Sequence, residues 1–180
     1  MRRGIEEEMI NYVIGDATYP IGDGPKVIAH VVNDVGVWGK GFVLAISKKW
    51  PGAKKRYLDL AKPLCLSSGK YERRVNLRLG DVHLVAAEPG IWIANMVAQR
   101  GLISASNPIP LQLDALAECL AVVKSMALAV DAQGVPSHAS VHCPRIGCGL
   151  GGSTWENVEP IIMRELDGVD VYVYDLPVKK

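Results

Sequence analysis

The sequence predicts an α/β domain built on a mixed β-sheet, and three observations predict it. Apolar runs of strand type alternate with helical patterns from one end of the chain to the other. The run KVIAHVVND is nearly continuous in its hydrophobicity, as in strands covered on both faces. The runs GDVHLVAAE and IWIANMVA are separated only by Pro89-Gly90, which fits neighbouring antiparallel strands.

The elements follow in order. MINYVIGD reads as the first strand and KVIAHVVND as the second. In GKGFVLAISKKW, Phe42, Ile46, Lys49 and Trp50 fall at helical spacing, with glycines at the start and Pro51 at the end. AKKRYLDLAK supplies a further helix, and the proposed hairpin follows. A long helical pattern is expected over 108–133, LQLDALAECLAVVKSMALAV at its centre. The strand ASVHCP, a glycine loop, a helix from about Thr154 to Leu166 and a closing strand DVYVYDL complete the chain. Ser153 and Glu156 have the spacing of a capping box at the start of that last helix.

At 180 residues the chain is read as one domain over 9–180, preceded by a charged tail at 1–8. Hydrophobic residues make up 49% and charged residues 22%, and the net charge of +1 gives no electrostatic argument for nucleic acid or an anionic membrane. The cysteines (Cys65, Cys119, Cys143, Cys148) form no CxxC pair, and the histidines show no ligand spacing, so neither a metal nor a cofactor is expected. The tail has no apolar core of signal-peptide type, and a reduced, cytoplasmic protein is expected.

The chemistry gathers around glycine. In CPRIGCGLGGSTWENV, Gly147, Gly149 and Gly152 satisfy GxGxxG, between a strand and a helix. A dinucleotide fold would need the sheet to wind onward from there, and the chain ends after one more strand. The physics survives: backbone N–H groups in such a loop hold phosphate without a basic side chain. One glycine would serve a tight turn, whereas Gly147, Gly149, Gly151 and Gly152 exceed that need. A second cluster, WGKGF at 38–42, also lies between a buried strand and a helix, and is no Walker loop because no Lys-Ser/Thr pair follows. Facing each other, the two loops would suit a diphosphate.

Other candidates have plainer readings. Asp16, after YVIG, is most simply a turn or cap residue; Asn33 and Asp34 end the second strand, where α/β proteins place ligand contacts. His30 sits in an apolar run, as core histidines do, and Cys148 reads as small-residue packing before it reads as a nucleophile. Trp38, Phe42 and Trp155 flank the loops and would either wall a pocket or pack the core.

YVIGDAT, KVIAHVVNDVGVWGKGFVLAISKKWP and PRIGCGLGGSTWENV, in this order, resemble the macrodomain, the ADP-ribose-binding module, over most of the chain. The likeness is to the branch that contains terminal ADP-ribose protein glycohydrolases and ADP-ribose-1″-phosphate phosphatases. The resemblance implies a three-layer sandwich, with a central mixed sheet between helices. It places Asp16 at the adenine amino group with Ala17 beside it, and Asn33 at the distal ribose. Gly39, Lys40, Gly41 and Phe42 match the first phosphate loop, and Ile146, Gly147, Cys148, Gly149 and Leu150 the second. Tyr174 or Leu176 would lie near the adenine.

Two departures matter. The glycohydrolases of this branch use a lysine on the strand matching IWIANMVAQR and an aspartate after GCGL. This chain has no lysine between Lys70 and Lys124, and Gly151 stands at the aspartate position. His30 occupies the position of a histidine implicated in the phosphatases. The resemblance therefore implies ADP-ribose and ADP-ribosylated proteins as partners, and leaves three activities open. These are hydrolysis of ADP-ribose esters on protein glutamate and aspartate, with Asn33 and Asp34 serving the reaction, ADP-ribose-1″-phosphate hydrolysis, and non-catalytic binding.

Overall fold

A computed structural model describes residues 10–65, 68–69, 71–72, 77–129 and 138–178. The tail at 1–8 and the far end of the expected helix over 108–133 lie outside the described residues. Strand β1 (Ile10–Ile14) is followed by β2 (Lys26–Asn33), α1 (Phe42–Lys49) and α2 (Pro51–Ala61). A small antiparallel pair, β3 (Leu64–Cys65) and β4 (Tyr71–Glu72), precedes β5 (Val82–Glu88) and β6 (Ile91–Gln99). Then come α3 (Leu113–Ala127), β7 (Ser140–Pro144), α4 (Trp155–Glu165) and β8 (Val171–Asp175).

The main sheet has the order β1-β8-β7-β2-β6-β5. All its pairings are parallel except β5 with β6, the hairpin the sequence predicts, so the sheet is mixed. Side chains on successive residues leave opposite faces of a strand, and β2 and β6 are apolar on both. Val27, Ala29, Ala94, Met96 and Ala98 pack with α3 and α4 residues such as Leu116, Leu120, Val158 and Ile162. Ile28, Val32, Ile93 and Val97 pack on the other side with Ile46, Ala53, Tyr57, Trp38 and Trp50. Two cores on one sheet make the three layers, and they explain the nearly continuous hydrophobicity of KVIAHVV.

Two local expectations are corrected. The long helix begins at Leu113, not near 108, because Pro108 and Pro110 disfavour a helical Asn107 and Ile109. The segment 108–112 runs extended instead: Arg100 N–H donates to Pro110 O (2.9 Å), Gln112 N–H to Ala98 O (2.8 Å) and Leu111 N–H to Gly151 O (3.1 Å). The capping box does not form, because Thr154, not Ser153, is the N-cap of α4 and makes no side-chain cap bond. Ser153 is held by its own N–H, which donates to Gly147 O (3.0 Å).

Candidate functional site: a cleft between two glycine loops

Parallel strands end together, and their carboxyl ends open a crevice where the order of connection reverses. Here β2 is flanked by β7 on one side and β6 on the other, and a cleft of about 520 Å³ opens at the ends of all three. The loop after β2 walls it with Gly39, Lys40, Gly41 and Phe42; the loop after β7 with Arg145, Ile146, Gly147, Gly149, Leu150 and Gly151.

The backbone of these loops is the most informative part of the site. The N–H groups of Gly39, Lys40, Gly41 and Phe42 donate to no acceptor among the described residues, and neither do those of Gly149, Leu150 and Gly151. The first group leads into α1, whose opening N–H groups have no partner within the helix. Two rows of unused donors on one cleft are a receptacle for anionic oxygens. Cations add little. The Arg145 guanidinium is committed to Asp175, with Nε to Oδ1 and Nη2 to Oδ2 both at 2.7 Å, and among the described residues only the exposed Lys40 is left as a free cation on the cleft wall.

The glycines divide into those the fold requires and those it does not. Gly147 and Gly152 have positive φ (73° and 71°), and a Cβ on them would meet Leu111 Cδ2 at 2.4 Å and Pro108 O at 2.1 Å. The extended segment at 108–111 thus packs under the loop and dictates its glycines. Gly149 has ordinary backbone angles and nothing within 4 Å of an added Cβ. Its missing side chain leaves open space in the cleft.

Around the far wall the polar groups are unevenly free. Asn33 lines the cleft, yet its Oδ1 accepts from Val35 N–H (3.2 Å) and Val37 N–H (3.1 Å) and lies 2.7 Å from the Tyr57 hydroxyl. Its Nδ2 donates to Val37 O (2.7 Å), so the side chain chiefly shapes the loop after β2. Asp34 does not line the cleft; its Oδ1 accepts from Gly101 N–H (2.8 Å) and ties β2 to the loop after β6. Gln99, at the end of β6, does line it and pairs with Asn33 across a β-bulge. His30 also reaches the wall but is only 2% exposed, set edge-on against Trp38 and Phe42. Burial lowers its pKa to about 4, so the ring is neutral near pH 7. Nε2 lies 2.6 Å from Asn95 Oδ1, and Nδ1 is buried without a partner among the described residues.

No family model matches the sequence. A solved macrodomain protein from Streptomyces coelicolor is 41% identical, with a TM-score of 0.71, over 92% of this chain and 98% of that one. The chain belongs to the macrodomain family. A solved protein of unknown function from Bacteroides thetaiotaomicron is similar too, at 42% identity and a TM-score of 0.77, over 93% of this macrodomain and 98% of that chain. Chromodomain-helicase-DNA-binding protein 1-like from Mus musculus is 30% identical over 98% of this macrodomain, which spans only 19% of that protein. ADP-ribose 1″-phosphate phosphatase from Candida albicans is 25% identical, over 92% of this macrodomain and 99% of that protein.

Of the residues singled out from sequence, the macrodomain brings Asn33, Gly39, Lys40, Gly41, Phe42, Ile146, Gly147, Gly149 and Leu150 to one cleft. Asp16 and Ala17 stand apart from its lining, beyond the end of β1. Asp16 Oδ1 accepts from both the N–H and the hydroxyl of Thr18 (2.8 Å each), which is the turn role, while Oδ2 accepts nothing among the described residues. Cys148 turns away to Ile146 O (3.5 Å), and burial pushes its thiol pKa up, the opposite of what a nucleophile needs. Trp38 and Trp155 are not walls of the cleft. Trp38 is buried and donates to Val43 O (3.0 Å), and Trp155 donates to Glu159 Oε2 (2.7 Å) on its own helix. Tyr174 is spent on Ile21 N–H (3.0 Å) and His142 Nδ1 (2.8 Å), which leaves Leu176, 71% exposed, as the free side chain at that end. Sequence reasoning gave no role to Gln99, Arg145 or Leu111. The signal for Gln99 was its strand, where the branch carries its lysine.

Proposed function

We propose that this macrodomain binds ADP-ribose in the cleft and hydrolyses ADP-ribose esters on protein glutamate and aspartate side chains. The observation that carries the reading is the pair of loops with unused backbone donors, Gly39 to Phe42 and Gly149 to Gly151, on one cavity. A diphosphate has oxygens enough for both rows, and it needs no basic side chain there. The adenine end would lie toward Asp16 and Ala17, with Asp16 Oδ2 accepting from the amino group; the distal ribose would lie toward Asn33 and Gln99. The similarity to an ADP-ribose 1″-phosphate phosphatase supports the ligand class. Proteins carrying ADP-ribose are the partners, in a cytoplasmic setting.

The chemistry rests on the leaving group, since no general acid is placed in the cleft among the described residues. Water attacks C1″, the bond from C1″ to the ester oxygen breaks, and the carboxylate leaves with the electron pair as charge develops on the ribose. The water's proton passes to a diphosphate oxygen or to solvent. A carboxylate, with a conjugate acid of pKa near ~4, leaves without a general acid. A serine alkoxide needs one, worth about 10²–10⁴ in rate. Asn33 is largely committed to its own loop, and Asp34 is outside the cleft lining, so neither is placed as an acid. Release of ADP-ribose from glutamate-linked and serine-linked conjugates tests the reading, with titration of free ADP-ribose beside it. Slow loss of the glutamate ester alone is expected; equal cleavage of the serine linkage would overturn the mechanism, and no ADP-ribose binding would overturn the whole reading.

One observation favours a second activity, hydrolysis of ADP-ribose-1″-phosphate: His30 Nδ1 is a lone pair without a partner at the cleft wall. Its burial, and the two aromatic rings set edge-on against it, oppose a role that requires the imidazole to gain charge. Phosphate release in the same assay decides between the two.

A further inference from the structure

Resting on the ADP-ribose reading, we propose that Gln99 is the side chain that recognises the distal ribose, and that Asp34 positions it through Gly101. Asn33 and Gln99 are partners at the ends of β2 and β6, across a bulge that skips Ala98. Bulges re-aim side chains where pairing ends. Of these two amides, Asn33 has its oxygen surrounded by donors and one amide hydrogen given to Val37 O.

Gln99 is differently placed. Its Nε2 lies 3.2 Å from Gly101 O. A carbonyl only accepts, so the amide nitrogen must face it, and the amide cannot flip without losing that bond. Gly101 is itself anchored, with its N–H donating to Asp34 Oδ1 at 2.8 Å. The chain Asp34–Gly101–Gln99 therefore fixes which end of the carboxamide is free. The free end is Oε1, which accepts no hydrogen bond from the described residues and is open to the cleft that Gln99 lines.

A fixed acceptor on an open cleft, hydrated when the cleft is empty, matches a ligand group that donates. A diphosphate oxygen cannot, since two acceptors repel; a sugar hydroxyl can. Gln99 Oε1 thus marks the sugar end of the cleft, as the unused N–H groups mark the phosphate part. Asp34 acts only through the loop it holds, and it is a positioning residue.

Calorimetry with ADP-ribose and with ADP, which lacks the distal ribose, tests this on the wild type, Gln99→Met and Asp34→Ala. Methionine keeps the length of the side chain and removes both polar ends. The wild type should prefer ADP-ribose. Gln99→Met should reduce that preference by roughly 3- to 10-fold, as for one neutral hydrogen bond, with the loss falling on ADP-ribose. Asp34→Ala should reduce it in the same direction, and by less. ADP binding reports that each variant is folded. A preference kept in Gln99→Met, a parallel loss for both ligands, or no preference in the wild type overturns the assignment. A wild type that binds neither ligand overturns the ADP-ribose reading itself.

Discussion

A Cβ on Gly151 would stand 2.5 Å from the carbonyl oxygen of Gly147, closer than real Cβ atoms approach. The contact is with backbone, which cannot swing aside as the end of a side chain can. The position at which the glycohydrolase branch carries an aspartate is therefore closed to any side chain in this loop. Gly151→Asp should destabilise the protein by about 2 kcal/mol or more, as over-packing does, and should not confer cleavage of serine-linked ADP-ribose. Denaturant melting and the conjugate assay check the two halves. A stable Gly151→Asp protein that cleaves the serine linkage would show that the loop opens.

The two loops allow a cleaner test of how the phosphates are held. Gly149 has room for a side chain within the protein, so Gly149→Val should fold normally and lose ADP-ribose affinity by an order of magnitude or more (~10-fold, from blocked approach). Lys40 is exposed, and Lys40→Ala should change affinity by only a few-fold, about what one exposed charge contributes. Titration calorimetry on both variants reads this directly. The reverse ranking would mean that a side chain, not the backbone, grips the diphosphate.

On the proposed reading Asp16 has two separable duties. Oδ1 holds the turn through Thr18, and Oδ2, which accepts nothing among the described residues, is the oxygen assigned to the adenine amino group. Asp16→Asn keeps one acceptor for Thr18 and replaces the other oxygen with a donor. Melting temperature should be nearly unchanged, while ADP-ribose binding should weaken by roughly 10- to 150-fold, the range for a hydrogen bond to a charged group. Unaltered binding would remove the adenine assignment.

Two buried histidines give the fold a predictable acid limb. Burial lowers the pKa of His30 from 6.5 to about 4; His142 falls to about 4 as well, through burial first and the Lys26 charge second. The unfolded chain takes up protons near pH 6.5 and the folded chain only near 4, so between these values the unfolded state binds more protons. Stability is then complete above about pH 6.5 and is lost as pH falls toward 4. For His30 the loss amounts to roughly 3 kcal/mol. Urea melts from pH 7.5 to 4.5 should show this slope, and His30→Gln, which keeps an N–H toward Asn95, should flatten it by about half, His142 being left. A flat profile in the wild type would mean that these rings are not held neutral.

The sequence by itself determined the alternation of strands and helices, the hairpin of β5 and β6, and the placing of both glycine loops after interior strands. Those features are local: they follow from hydrophobic period, from proline and glycine, and from the twofold covering that makes β2 and β6 mainly apolar on both faces. It also named Asp16, though its turn bond to Thr18 is local and its place beyond the cleft lining is not. What only the tertiary structure decided is which groups remain free. Asn33 and Gln99 are both amides at strand ends, and only the loop of Val35 and Val37, the hydroxyl of Tyr57 and the carbonyl of Gly101 distinguish the spent one from the unspent one. Gly149 and Gly151 are two residues apart in the chain, yet one has open space and the other faces the backbone of Gly147. Hydrogen-bond satisfaction and close packing depend on neighbours distant in sequence, and no periodicity along the chain records them.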